Sequence, residues 1–110
     1  MKLELSTWQR LSLTQIIGEQ QGPVSIVRKA GKLLDILEMT GEEKKEVGLV
    51  QDPQVGFRWN NTDRMWGLEI SDGNLAAYLK EVAKGHGGWS VRNRDQVLDL
   101  FEKLEIQEES

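Results

Sequence analysis

The segment from Pro23 to Leu37 constrains this chain more than any other. Rotating 100° per residue from Val24 places Val24, Ile26, Val27, Ala30, Gly31, Leu33, Leu34 and Leu37 within one half of a helix circumference. Ser25, Arg28, Lys29, Lys32 and Asp35 fill the opposite arc. An apolar face that wide is more than one partner helix covers. The segment is therefore expected at the centre of the fold, enclosed by its own chain or in part by another subunit. Pro23 is expected at the first helical position, where its missing N–H has no intrahelical partner to lose.

Around this helix the chain offers material for one domain. Its 110 residues suffice for a single core but not for two. With 38% hydrophobic and 29% charged residues, neither a disordered nor a membrane-embedded class fits. No apolar run approaches the ~20 residues that span a bilayer, and Met1–Ser6 has no apolar stretch of the secretory kind. Without cysteine, disulfides, Cys-based zinc sites and thiol nucleophiles are excluded. The expected setting is the cytoplasm.

Local signals mark further elements. Residues 1–5 are an extended lead-in or a short strand, with Leu3 and Leu5 alternating against Lys2 and Glu4. Ser6 and Gln9 have capping-box spacing, so a helix is expected from Thr7. Its apolar residues Trp8, Leu11, Leu13, Ile16 and Ile17 miss a single stripe, which requires burial on two sides or a break near Ser12. Thr40-Gly41-Glu42-Glu43 is a second capping box, opening a short helix that stops at Gly48. From Val55 to Ile70 the pattern alternates: Val55, Phe57, Trp59, then Trp66, Leu68, Ile70, with Asn60-Asn61-Thr62-Asp63 between them. That pattern predicts a β-hairpin, preceded by a hinge at Asp52-Pro53. Ser71 or Asp72 can cap a helix carrying Leu75, Ala76, Tyr78, Leu79, Val82 and Ala83. Asn93 with Gln96 is expected to cap a last helix whose inner face is Val97, Leu98, Leu100, Phe101 and Leu104. Residues 106–110 read as a frayed acidic tail. The predicted fold is α+β: a mostly helical single domain of four to five helices with one small β-hairpin.

Candidate chemistry is sparse. His86 is the only histidine and lies in Lys84-Gly85-His86-Gly87-Gly88-Trp89-Ser90. A loop so rich in glycine can offer backbone N–H groups to the phosphate of a nucleotide, with Lys84 supplying charge, or can simply connect two helices. No Gly-x-Ser-x-Gly elbow and no phosphate-loop pattern accompanies it, so no catalytic residue is assigned and a non-enzymatic chain is expected. One His and scattered carboxylates, among them Asp63, Glu69 and Asp72, offer no metal-ligand spacing, and neither metal nor cofactor is expected. Lys84, Arg92 and Arg94 around Trp89 form the best nucleic-acid candidate, with Arg28, Lys29 and Lys32 as a second basic strip. The net charge of −4 argues against nucleic acid in general. Four tryptophans are the outstanding compositional feature. Trp59 beside Arg58, and Trp66 near Arg64, are either core residues or interface anchors on an exposed hairpin.

The first half resembles small proteins encoded by tailed bacteriophages and prophages. The likeness rests on Arg10-Leu11, Ile16-Ile17-Gly18, Gly22, Val27-Arg28-Lys29, Lys32-Leu33-Leu34 and Thr40-Gly41-Glu42-Glu43-Lys44, with Leu68-Glu69-Ile70-Ser71 later. It implies a bacterial host cell and a non-enzymatic role, and carries over no functional residue. The expected function is a protein-interaction module, an assembly factor or an inhibitor of a host protein, with self-association possible. A nucleic-acid regulator or a phosphate-ligand binder are the alternatives.

Overall fold

The computed structural model describes residues 1–54, 56–60 and 64–106. β1 (Lys2–Ser6) leads directly into α1 (Thr7–Gly18), followed by α2 (Val24–Leu37) and the short α3 (Gly41–Glu46). Three strands follow: β2 (Val50–Asp52), β3 (Gly56–Arg58) and β4 (Met65–Glu69). α4 (Gly73–Gly85), a 3-10 turn (Val91–Asn93) and α5 (Arg94–Lys103) complete the chain. The α+β, mostly helical domain expected from the sequence is the fold observed. Among the described residues, no helix is long and apolar enough to cross a membrane.

Among the described residues, which do not include Val55, the two halves of the predicted hairpin over Val55–Ile70 do not pair with each other. They belong to different antiparallel sheets: β3 pairs with β2, and β4 pairs with β1. The reason is burial. Leu3 and Leu5 of β1 stand opposite Leu68 and Trp66 of β4, so the two alternating apolar sets fall on one buried face. β3 has no such face, since Gly56, Phe57 and Arg58 are all exposed. It closes instead through Asp52-Pro53, where Asp52 Oδ1 accepts the Gln54 N–H at 2.8 Å and Gly56 takes φ +86°. The expected hinge is therefore the turn. The expected turn falls partly on residues 61–63, which lie outside the described residues, as does most of the acidic tail.

The main core gathers Leu13, Ile16 and Ile17 of α1, Ala30, Leu33 and Leu37 of α2, and Leu75, Leu79 and Ala83 of α4. Leu3, Leu5, Ile70, Leu100 and Leu104 close it. A smaller cluster of Met39, Val47 and Trp66, with Leu11, Leu49 and Trp59 against it, lies on the other side of α1. That explains the scattered apolar residues of α1, which runs unbroken and is buried on two sides. The wide face of α2 is only partly enclosed: Val24 and Val27 remain 66% and 56% exposed. Two smaller expectations are corrected. Pro23 is the N-cap of α2 rather than its first helical residue. Asn93 occupies the N-cap of α5 without a side-chain bond, because the 3-10 turn capped by Ser90 already feeds the helix. Gln96 instead accepts from the Ser6 hydroxyl and, through its carbonyl, from Gln9, while Leu98 faces outward at 48% exposure.

Arg10 joins the two clusters. It is 3% exposed, and its Nε donates to the Leu37 carbonyl at 2.6 Å and its Nη2 to the Glu38 carbonyl at 3.0 Å. These carbonyls lie at the C-terminus of α2, where no intrahelical donor remains for them. The guanidinium also grips Glu43 with both nitrogens, at 3.0 and 3.2 Å, and lies 5.0 Å from the Trp66 ring centre. The Arg10 bond holds the Glu43 carboxyl below the usual carboxylate range, against the opposing effect of burial. Because the native value is lowered, the stabilisation is complete above the ordinary carboxylate range and disappears as pH falls through the native value. Asp99, lowered by Lys103 and Gln9, adds loss in the same direction. Glu43→Gln is therefore expected to cost roughly 1–2 kcal/mol at neutral pH and to make the acid limb of the urea midpoint shallower. Arg10→Met, which orphans the α2 carbonyls and Glu43 together, is expected to cost about 3–5 kcal/mol. Equal acid sensitivity in Glu43→Gln and the parent chain would contradict this account.

Candidate functional site

The glycine-rich connection after α4 is more ordered by its aromatics than its composition implies. Trp89 folds back, and its indole Nε1 donates to the Ala83 carbonyl at 3.1 Å, satisfying a carbonyl at the C-terminus of α4. Its ring meets His86 edge-on at 4.9 Å, Phe101 of α5 at 6.0 Å and Trp8 of α1 at 6.4 Å. Trp89 thus pins the connection to three helices. A shallow groove of about 220 Å³ runs between α1 and this segment, lined in part by Trp8, Gln15, Glu19, His86, Trp89 and Asn93. A second hollow of about 370 Å³ lies across His86, beside Tyr78 and Glu81.

The glycine loop lines both hollows, but the basic residues of the candidate do not. Lys84, Arg92 and Arg94 line neither of them, whereas Glu19 lines one and Glu81 the other. Lys84 lies exposed in the last turn of α4, and Arg92 lies exposed on the 3-10 turn. Arg94 is exposed as well, its Nη1 donating to the Val91 carbonyl at 3.3 Å. Burial pushes the Tyr78 hydroxyl up from its ordinary range, with the Glu81 charge acting in the same sense. Among the described residues, no three His, Asp or Glu side chains converge to hold a metal ion.

The tryptophan candidates divide. Trp66 is 2% exposed, its Nε1 donating to the Thr7 hydroxyl at 2.9 Å, with Arg64 3.8 Å from its ring centre. It is a core residue, and the interface alternative is withdrawn for it. Arg64 bonds Glu46 of α3 as well and remains exposed. Trp59 is half-buried against the smaller cluster, and exposed Arg58 pairs with Asp52 across the β2–β3 turn at 3.2 Å.

What the tryptophans do not supply, their neighbours do. A groove of about 280 Å³ opens beside the β2–β3 hairpin, with Leu11, Met39, Leu49 and Phe57 as its apolar walls and Glu38 and Lys44 at its sides. Phe57 is 41% exposed and Val50 61% exposed, on strands that pair only with each other among the described residues. The hairpin is seated by Asn60, whose N–H donates to the Val47 carbonyl at 2.7 Å beyond the end of α3. Gly48 makes this approach possible: its φ is +62°, and a Cβ there would lie 2.7 Å from the Asn60 amide. Sequence reasoning placed Phe57 on the hairpin but did not unite it with Leu11, Met39 and Leu49. The only local hint was Leu11, off the stripe of α1.

Compared with protein families, curated proteins and solved structures, the chain matches none of them.

Two roles for Trp89 give opposite results. As a structural pin, Trp89→Ala is expected to lower stability by about 3 kcal/mol in urea unfolding. As a stacking platform it would leave stability unchanged and abolish binding of single-stranded oligonucleotides at low salt.

Proposed function

We propose that this chain is a non-enzymatic protein-interaction module that docks a partner through the β2–β3 hairpin and its apolar groove. The observation that carries this reading is the exposure of Phe57 beside Leu11, Met39 and Leu49, with Val50 exposed on the opposite face of the same hairpin. Apolar side chains grouped on a surface with unpaired strand edges are what a partner covers. The rigid seat supports it too, since an anchored surface spends less ordering entropy on binding. The resemblance of the first half to small phage and prophage proteins favours a bacterial host cell as the setting. There the module would serve as an assembly factor or as an inhibitor of a host protein.

A photo-crosslinking residue at position 57 is expected to capture a discrete host or phage protein, while one at Ser25, exposed near the start of α2, does not. Phe57→Glu is expected to reduce capture roughly tenfold or more while shifting stability by less than about 0.5 kcal/mol. Equal capture by the Phe57→Glu chain would remove the groove from the interaction.

A further inference from the structure

The outer side of α2 poses a separate physical problem. Val24 and Val27 remain largely exposed on a helix whose other side is fully used by the core. Gly31, on the same outer side, is a poor helix former in a helix interior. A Cβ there meets nothing within 4 Å, so the monomer gives no packing reason for it. Arg28 and Asp35 flank it, both exposed, and neither forms a salt bridge among the described residues.

We propose that this surface is where a second copy of the chain binds, α2 against α2, antiparallel about a two-fold axis at Gly31. The arrangement of residues is self-complementary. Antiparallel pairing about position 31 brings together residues whose numbers sum to about 62. On one side of the seam Val27 then meets Leu34 of the second copy, and on the other Arg28 meets Asp35 of the second copy. A two-fold axis repeats both contacts, as an isologous interface requires. Gly31 faces its own counterpart at the centre, where the missing side chain permits close backbone approach. A parallel pairing would instead set the Arg28 and Asp35 flank against the Val27 and Leu34 flank of the second copy, leaving both charges without a partner. The helix alone offers a small area, so the expected dimer is weak, with dissociation in the micromolar range.

Sedimentation at low salt and roughly 100 µM chain tests it. The parent chain is expected at twice its 12.5 kDa mass. Arg28→Asp alone and Asp35→Arg alone are each expected to sediment as monomers. Mixed one to one they are expected to form a heterodimer, because every cross-pair is then opposite in charge. Gly31→Leu is expected to be monomeric with an undiminished melting temperature, separating loss of association from loss of folding. Phe57→Glu is expected to stay dimeric, since the hairpin groove is not part of this seam. A parent chain monomeric under these conditions overturns the proposal. So does a dimer that survives Gly31→Leu, or a mixture of the charge variants that remains monomeric.

Discussion

Arg10 is the point on which the arrangement depends. A guanidinium buried among apolar neighbours is tolerable only if its donors are occupied. Here the carbonyls of Leu37 and Glu38 and the carboxylate of Glu43 occupy them. The same bonds solve a second problem, because the C-terminus of α2 ends against α1 with carbonyls that need donors. α3 is held by the charge it brings: Glu43 closes its own capping box with Thr40 while binding Arg10. One side chain therefore sets the positions of three helices, and Trp66 of β4 packs beside it.

From that junction the smaller cluster follows. Val47, at the end of α3, and Met39, before it, are buried against Trp66. Leu49 and Trp59 pack on this base, and Asn60 ties the hairpin back to Val47. The outer surface of the β2–β3 sheet stays open because three-residue strands are too short to bury both their faces. The apolar groove thus lies where the supported layer ends, between Leu11 of α1 and Phe57 of β3.

The parts legible in the sequence were those decided locally. The Ser6–Gln9 and Thr40–Glu43 capping boxes both form, as does the Asp72 cap of α4. Strand pairing was misread because alternation shows that a strand has an apolar face but not which strand it faces. β4 pairs with β1 across more than half of the chain, a choice made by the shared core of Leu3, Leu5 and Trp66. Trp66 and Trp59 look alike in sequence, each near an arginine, yet only Trp66 has a hydroxyl partner and is enclosed. Arg10 was invisible for the opposite reason. An arginine in an amphipathic helix reads as a solvated residue until its acceptors, 27 to 33 positions away, are brought to it.

The basic residues of the sequence illustrate how such placement bears on function. Arg10 and Arg64 are committed to carboxylates and to the Trp66 ring, and Arg58 to Asp52. Lys103 is committed to Asp99. Lys84, Arg92 and Arg94 remain exposed, but the aromatic that would complete a stacking platform, Trp89, spends its N–H on Ala83 and its ring on Trp8, His86 and Phe101. Nucleic-acid binding by stacking needs a free ring face beside free cations; here the ring is half-buried and already packed on three neighbouring rings. Unspent apolar surface lies at Phe57 and Val50, along the outer side of α2, and also at Val91 and Leu98 near these cations. Surface of that kind gains more from a protein than from a polyanion, and it is the basis on which we propose protein binding.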